Sequence, residues 1–402
     1  MKIEKSKGDD MYRYMMSTWR LSKPLELSQF YCAICGGPFK AGINSFFVPD
    51  DDETLLDESD EVSGESSALG TFLKPKHCDK TVLDSASIAW LHELLLLGWN
   101  PRTRKCFFTG PGVARDYRWA LVQPGEDQEV PLRSPEDVDG NIAMGVYCKT
   151  FHCPQTDEES LQFPIHTTCL HMFQKALDMR KGTSVEIEKE ALFTAMNDRD
   201  FEVWITSLNS INYFEFQFLS KQRLWIGTAG FEPWLCDPMN IPALKSLRLS
   251  LSHSTLSRTV RPISSSDSFA CLPTEIIVRI TELLISGEDV VHAMQASHSI
   301  REACGNTVWK HRLLNDMPYL YELSERIVSM GSEADRVVWR EVYGRMMVQS
   351  QMDEQECLIP DTIKERMIRS KFDPALMGIA SRRRIWHCIE QLLERYEREA
   401  SA

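Results

Sequence analysis

Cys32-Ala33-Ile34-Cys35-Gly36-Gly37 has the form of a zinc knuckle. Two thiolates three residues apart in a tight turn reach one ion, and the glycines that follow let the backbone fold around it. One such pair is half of a tetrahedral site. His166-Thr167-Thr168-Cys169 offers the other half. On a helix, residues three apart share a face, so His166 and Cys169 point at one ion. Cys148 with His152 or Cys153 is a competing pair, and His171 and Cys78 are weaker candidates. Mixed thiolate and imidazole ligands suit zinc, and four protein ligands make a closed, structural site. The alternative is a set of ordinary buried thiols, because free cysteine packs like a small hydrophobe.

Other chemistry has no local signature. There is no Gly-x-Ser-x-Gly, no phosphate-cradling glycine loop, no His-Glu-x-x-His and no dinucleotide fingerprint. Gly110-Pro111-Gly112 is a turn. The expectation is a protein that is not an enzyme. A net charge of -13 argues against general nucleic-acid binding, which needs a basic face. The apolar run at 91–99 is too short to span a bilayer. The opening MKIEKSKGDD has no apolar segment behind its lysines and is not a signal peptide. The expected location is cytoplasmic or nuclear. The chain has 12 cysteines, seven of them from Cys32 to Cys169. In a reducing compartment these are thiols or metal ligands, not a disulfide framework.

The elements that must position the cysteines are mixed. Residues 1–28 are a polar tail, with a weak amphipathic signal at Met11–Leu21. Asp50–Glu65 is densely acidic and reads as a solvated insertion. The apolar spacing of Ile88, Leu91, Leu94 and Leu95 predicts a helix over Asp84–Leu97, ended by Gly98 and turned by Asn100-Pro101. Lys105–Thr109, Trp119–Gln123 and Met144–Tyr147 read as strands. Pro164–Arg180 and Glu186–Met196 read as helices, and Tyr213–Phe218 as a half-buried strand. Residues 227–249, with three prolines, read as irregular. The Ser-rich stretch 251–268 reads as a linker.

Phe269 to Arg312 is the other informative stretch. Leu272-Pro273 opens it, and proline suits the first turn of a helix. Glu275 lies near the helix N-terminus, where negative charge is favourable. Ile276, Ile277, Ile280, Leu283 and Leu284 follow at helical spacing, and Gly287 reads as the stop. Glu288-Asp289 begin a second helix carrying Val290, Val291 and Met294. Ile300, Val308 and Trp309 make a third apolar group. So few short helices cannot bury enough surface to be stable alone, so part of that surface must meet something else.

This pattern resembles the F-box: Leu-Pro-x-Glu-aliphatic, an amphipathic helix, an Asp-aliphatic second helix and a closing Trp. Leu272, Pro273, Glu275, Ile276, Ile280, Leu283, Asp289, Val290 and Trp309 meet it. The usual Cys-x-x-Trp is replaced by Ser297-His298-Ser299-Ile300-Arg301. The resemblance covers about a tenth of the chain. It implies docking on the Skp adaptor of an SCF ubiquitin ligase, with an unidentified protein as target. Within the stretch, Leu272, Pro273, Ile276 and Ile280 are expected to stay partly uncovered, and Ile277, Leu283 and Leu284 to pack inward. An ordinary helical hairpin inside a larger helical domain is the alternative.

Beyond residue 312 everything reads as helical. Ala334–Met347 carries Val337, Val338 and Trp339. Ile385, Ile389, Leu392, Leu393 and Tyr396 mark a final amphipathic helix. Arg382-Arg383-Arg384 reads as a solvated helix start or, alternatively, a nuclear-import signal. The phrases YCAICGGPF, WLHELLLLGWNP, CFFTGPG and FPIHTTC look like the N-terminal region of an uncharacterised group of filamentous-fungal F-box proteins, a resemblance that implies no activity. The expected fold class is α+β. A mixed α/β Cys-rich domain (29–250) precedes an all-α F-box (269–312) and a helical C-terminal region (313–402). The runner-up function is a zinc-stabilised interaction module with no ligase role.

Overall fold

Leu94, Leu95, Leu96 and Leu97 are buried in unbroken succession, which a strand covered on both faces allows. They form the centre of strand β1, Glu93–Asn100, in a computed structural model of the chain. The structure describes residues 32–37, 39, 83, 85–100, 103–114, 119–122, 125, 146–147, 162–197, 232–247, 249, 267–350 and 373–401. The acidic stretch at 50–65, the Met11–Leu21 and Tyr213–Phe218 segments and residues 251–266 of the Ser-rich stretch lie outside them. The described architecture is mixed α and β and mostly helical. It divides into two compact units. One comprises residues 1–65, 88–228 and 388–402, and the other residues 66–87 and 229–387.

The first unit is built on a sheet of six antiparallel strands. The helix expected over Asp84–Leu97 is only a short turn, Ser85–Ile88, followed by a 3-10 turn, Ala89–Leu91, and then β1. Asn100 turns the chain. Its carbonyl accepts the Arg104 N–H at 2.8 Å, and Lys105–Phe108 returns as β2. β3 (Gly112–Ala114), β4 (Trp119–Val122) and β5 (Val146–Tyr147) extend the sheet from the other half of the same β1 edge. β6, Gln162–His166, pairs along the opposite edge, with Leu94 facing His166 and Gly98 facing Gln162.

The helix expected from Pro164 therefore begins later, at Thr167, and runs to Lys181. Its Cys169, Met172, Phe173, Ala176 and Leu177 repeat at helical spacing and are all buried. Helix Lys189–Met196 buries Ala191, Leu192, Ala195 and Met196, and its Glu190 carboxylate accepts the Cys106 N–H of β2 at 3.1 Å. Residues 388–399, the second half of the long helix Gly378–Glu399, also belong to this unit. There Tyr396 packs edge-on against Phe173 with ring centroids 5.5 Å apart, and its hydroxyl accepts the Glu188 N–H at 3.0 Å. Arg395 reaches the Ala195 carbonyl at 2.9 Å.

The second unit is helical. Residues 227–249, read as irregular, contain two short helices, Glu232–Leu235 and Pro242–Lys245. Thr274–Glu282, Gly287–Ala296, His298–Ala303 and Asn306–Asp316 follow in the F-box-like stretch. Pro273 is the residue before the first of these helices, not part of its first turn, and its carbonyl accepts the Ile276 and Ile277 N–H groups. Gly287 does not stop that helix; it opens the second, behind a capping box formed by Ser286 and Asp289. A Cβ at Gly287 would run into the Tyr343 ring, so glycine is needed there for close approach.

The residues that replace Cys-x-x-Trp have work of their own. The Ser297 hydroxyl accepts the Ile300 N–H at 3.1 Å and caps the third helix. It also donates to the Asp267 carboxylate at 3.0 Å, which takes the Ser299 N–H at 2.9 Å as well. Trp309 is buried against the Tyr343 ring, joining helix Asn306–Asp316 to helix Trp339–Ser350. The helix expected over Ala334–Met347 is split into a 3-10 segment, Gly331–Arg336, and that later helix.

The arginine triplet is a further correction. Arg382 is fully buried. It makes a two-pronged ion pair with Glu322 at 2.5 and 2.9 Å, donates to the carbonyls of Pro238, Tyr319 and Met239, and lies over the Tyr321 ring. Arg384 is also buried, over Trp234, and only Arg383 is exposed. A guanidinium with five donors can be buried when acceptors surround it. Arg382 and Arg384 are thus packing residues and not part of a solvated helix start. Among the described residues no helix is long and apolar enough to cross a membrane.

Candidate functional site

Cys32, Cys35, His166 and Cys169 come together. Their ligand atoms all lie within 4.8 Å of one another, and all four side chains are buried. The knuckle is closed by Gly36 N–H to the Cys32 carbonyl at 2.8 Å and Cys32 N–H to the Gly37 carbonyl at 2.9 Å. Gly36 takes φ 63°, a left-handed conformation that favours glycine. Ala33 N–H donates to the Pro164 carbonyl at 2.8 Å, which seats the knuckle beside β6. His166 is the last residue of β6, and Cys169 lies in the first turn of the following helix. The two ligands therefore come from a strand–helix junction rather than from one helix face.

The two distances from the imidazole to sulfur suit one ion. His166 Nδ1 is 3.5 Å from Cys35 Sγ and 3.8 Å from Cys169 Sγ. A tetrahedral ion with bonds of about 2.3 Å to sulfur and about 2.0 Å to nitrogen sets its ligand atoms roughly 3.5–3.8 Å apart. Two backbone donors already point at sulfur: Gly37 N–H to Cys35 and His166 N–H to Cys32, both at 3.3 Å. Such second contacts orient ligands and spread thiolate charge. Cys169, near a helix N-terminus, gains from the helix dipole in the same sense.

The electrostatics of the bare cluster are divided. Burial pushes the Cys32 thiol well above its ordinary value. It does the same to Cys169, reinforced by the neighbouring Cys32 and Cys35. At Cys35 burial is outweighed by hydrogen bonds with Cys169 and Cys32 and by His166, and the thiol is held well below its ordinary value. Three ionised sulfurs cannot share a dry cavity without a cation. A bound metal reverses the balance, because a coordinating thiol is deprotonated outright. The four side chains thus form a buried cluster able to hold a metal ion. Cys78, Cys148, His152 and Cys153 lie outside the described residues, and His171 is exposed and not part of the cluster.

The residues of the F-box-like stretch divide between exposed and buried positions. Helix Thr274–Glu282 buries Ile277 (3% exposed) and Thr281, and turns Ile276 (48% exposed) outward. Leu272, Pro273 and Glu275 are also exposed, and Ile280 is half-buried. Leu283, expected to pack inward, is 83% exposed, and Ile285 is 94% exposed. Leu284 is half-buried. Leu283 continues the less covered Ile276 and Ile280 side at helical spacing, and beyond it Arg312 donates to the carbonyls of Thr281 and Leu284. Val290 and Trp309 are buried inside the unit.

Two aromatic residues lie beside the cluster. The His166 ring lies 4.2 Å from the Phe39 ring and 4.8 Å from the Trp90 ring, centroid to centroid. Phe39 lies two residues beyond Gly37 of the knuckle, and that proximity is its signal in the sequence. Trp90 had none, because the segment carrying it read as helix. Compared with protein-family models, curated proteins and solved structures, the chain matches none.

Proposed function

We propose that the chain is a substrate-receptor subunit of an SCF-type ubiquitin ligase. It docks the Skp adaptor through the F-box-like helices and is itself non-catalytic. One observation carries this reading. Helix Thr274–Glu282 is amphipathic with its better-covered face formed by Ile277 and Thr281, while Leu272, Pro273, Ile276 and Leu283 stand exposed at and around it. An exposed cluster of this kind marks an interaction site. The sequence pattern that supplies it is the one an F-box uses. Co-purification of the full chain with the adaptor tests the reading. Adaptor recovered with wild type and lost on disrupting this helix is the expected result.

The cysteine–histidine cluster supports a structural zinc. Thiolate and imidazole donors favour that metal, and four buried protein ligands describe a closed site. This closed centre also favours a second reading, a zinc-stabilised interaction module without a ligase role. An adaptor that fails to bind a zinc-loaded, folded chain would select it.

A further inference from the structure

The imidazole of a histidine can offer either nitrogen to a metal, and rotating the ring exchanges them. In this protein the choice is made. Nδ1 is the atom 3.5 Å from Cys35 Sγ and 3.8 Å from Cys169 Sγ. The ring is held by two aromatic side chains from separate parts of the chain. Phe39 meets it at 4.2 Å with the planes 43° apart, and Trp90 at 4.8 Å with the planes 56° apart. Both are buried. The His166 backbone is fixed too, by its N–H bond to Cys32 Sγ and its pairing with Leu94.

We infer that Phe39 and Trp90 are positioning residues for the metal, bracing the His166 ring so that Nδ1 and not Nε2 is the ligating atom. The inference rests on the metal-binding reading of the cluster. Turning the ring over inside the brace would require both aromatic rings to move in a close-packed interior. A ligand oriented beforehand also loses less freedom when the ion arrives. The same two rings cover the ligand with apolar surface and keep water from competing for the ion. Phe39 lies four residues beyond Cys35 and Trp90 three residues before β1, so the brace ties the knuckle and the sheet to one imidazole.

The test uses the full chain with cobalt(II) as probe and zinc as competitor. Trp90→Leu and Phe39→Leu remove the aromatic planes while keeping apolar bulk. Trp90→Phe keeps a plane. Phe173→Leu is the control, a comparable core loss against Tyr396. The leucine variants at 90 and 39 are expected to bind cobalt about ten- to a hundredfold more weakly, the usual cost of losing an outer contact. Trp90→Phe and Phe173→Leu should stay close to wild type. Nitrogen-15 spectra of histidine-labelled, zinc-loaded wild type should show Nδ1 metal-bound and the proton on Nε2. That measurement decides the ligating atom even where a variant does not fold.

Equal cobalt affinity across all variants would overturn the inference while leaving the metal reading intact. So would an equal loss in Phe173→Leu, or Nε2 ligation in the spectrum. Wild-type protein that takes up no cobalt would remove the metal reading and this inference with it.

Discussion

His166 Nδ1 lies 3.5 Å from Cys35 Sγ, across 131 residues of chain. The Ala33 N–H bond to the Pro164 carbonyl and the His166 N–H bond to Cys32 Sγ bring the knuckle and β6 together, and a shared ion would fit between the side chains. Purified protein is expected to contain one zinc per chain. Cys35→Ser and His166→Ala should each lose it. In zinc-finger peptides a structural zinc contributes about 10–16 kcal/mol of apparent binding free energy. The knuckle should therefore come away from β6 in both variants, seen as fast amide exchange at residues 32–37. A full zinc complement in either variant would refute the four-ligand site.

Ile276 and Ile277 are neighbours with opposite surroundings, and they separate binding from stability. Ile276→Ala should leave stability nearly unchanged and weaken adaptor binding by on the order of 1–3 kcal/mol, about ten- to a hundredfold. Ile277→Ala leaves a cavity and should destabilise the second unit by about 2–5 kcal/mol. Denaturant midpoints and adaptor titrations on both variants make the comparison. Equal adaptor affinity for wild type and Ile276→Ala, at equal helical content, would count against the docking face.

Asp267 is a pH-dependent anchor. The Ser299 N–H, joined by the Phe269 N–H and the Ser297 hydroxyl, holds its carboxyl down to about 2. A carboxylate lowered in the folded state adds stability above its unfolded value, about 3.9, and loses it as pH falls through the folded value. The second unit should lose this contribution between about pH 4 and pH 2. Asp267→Asn should lower stability at neutral pH and flatten the acid limb in that window. An unchanged acid limb would show that the bonds carry no net stability.

Buried Arg382 and half-buried Glu322 form an ion pair that should be costly to break. Arg382→Met leaves the Glu322 carboxylate and several carbonyls without their donor, and the expected loss is about 3–5 kcal/mol. Changing both residues to apolar ones should recover much of it, because the uncompensated charge is then gone. A double variant no better than Arg382→Met would place the cost in the carbonyl bonds instead.

The cluster was legible because ligand spacing is local: Cys-x-x-Cys and His-x-x-Cys are visible without knowing how they meet. The helices from Thr274 to Asp316 were legible from apolar spacing, although their caps were not: Ser286 and Ser297 hold those places and Gly287 opens a helix instead of stopping one. β1 was not. Its four leucines are buried on both faces, so the alternation that betrays a strand is missing, and a short apolar run fits either period. β6 was misread because Pro164 looked like a helix start, when it is a strand residue beside the knuckle. Arg382 was misread because the Glu322 that receives it lies 60 residues away. Leu283 shares the less covered side of its helix with Ile276 and Ile280, and spacing alone does not say which side the rest of the unit covers.

The first unit takes its last helix turns from residues 388–399, although its sheet begins at Glu93. This has a consequence for birth order on the ribosome. Met196 and Tyr396 are separated by about 200 residues, roughly 10–40 s of synthesis at typical elongation rates. Throughout that interval Phe173 has no Tyr396 to pack against, and the Glu188 N–H and Ala195 carbonyl wait for partners not yet made. Residues 66–87 of the second unit are made before the gap and residues 229–387 inside it, so that unit is free to fold first. A nascent chain stalled before residue 388 should therefore carry an unfinished apolar face, and that face is where a holding chaperone would be expected to sit.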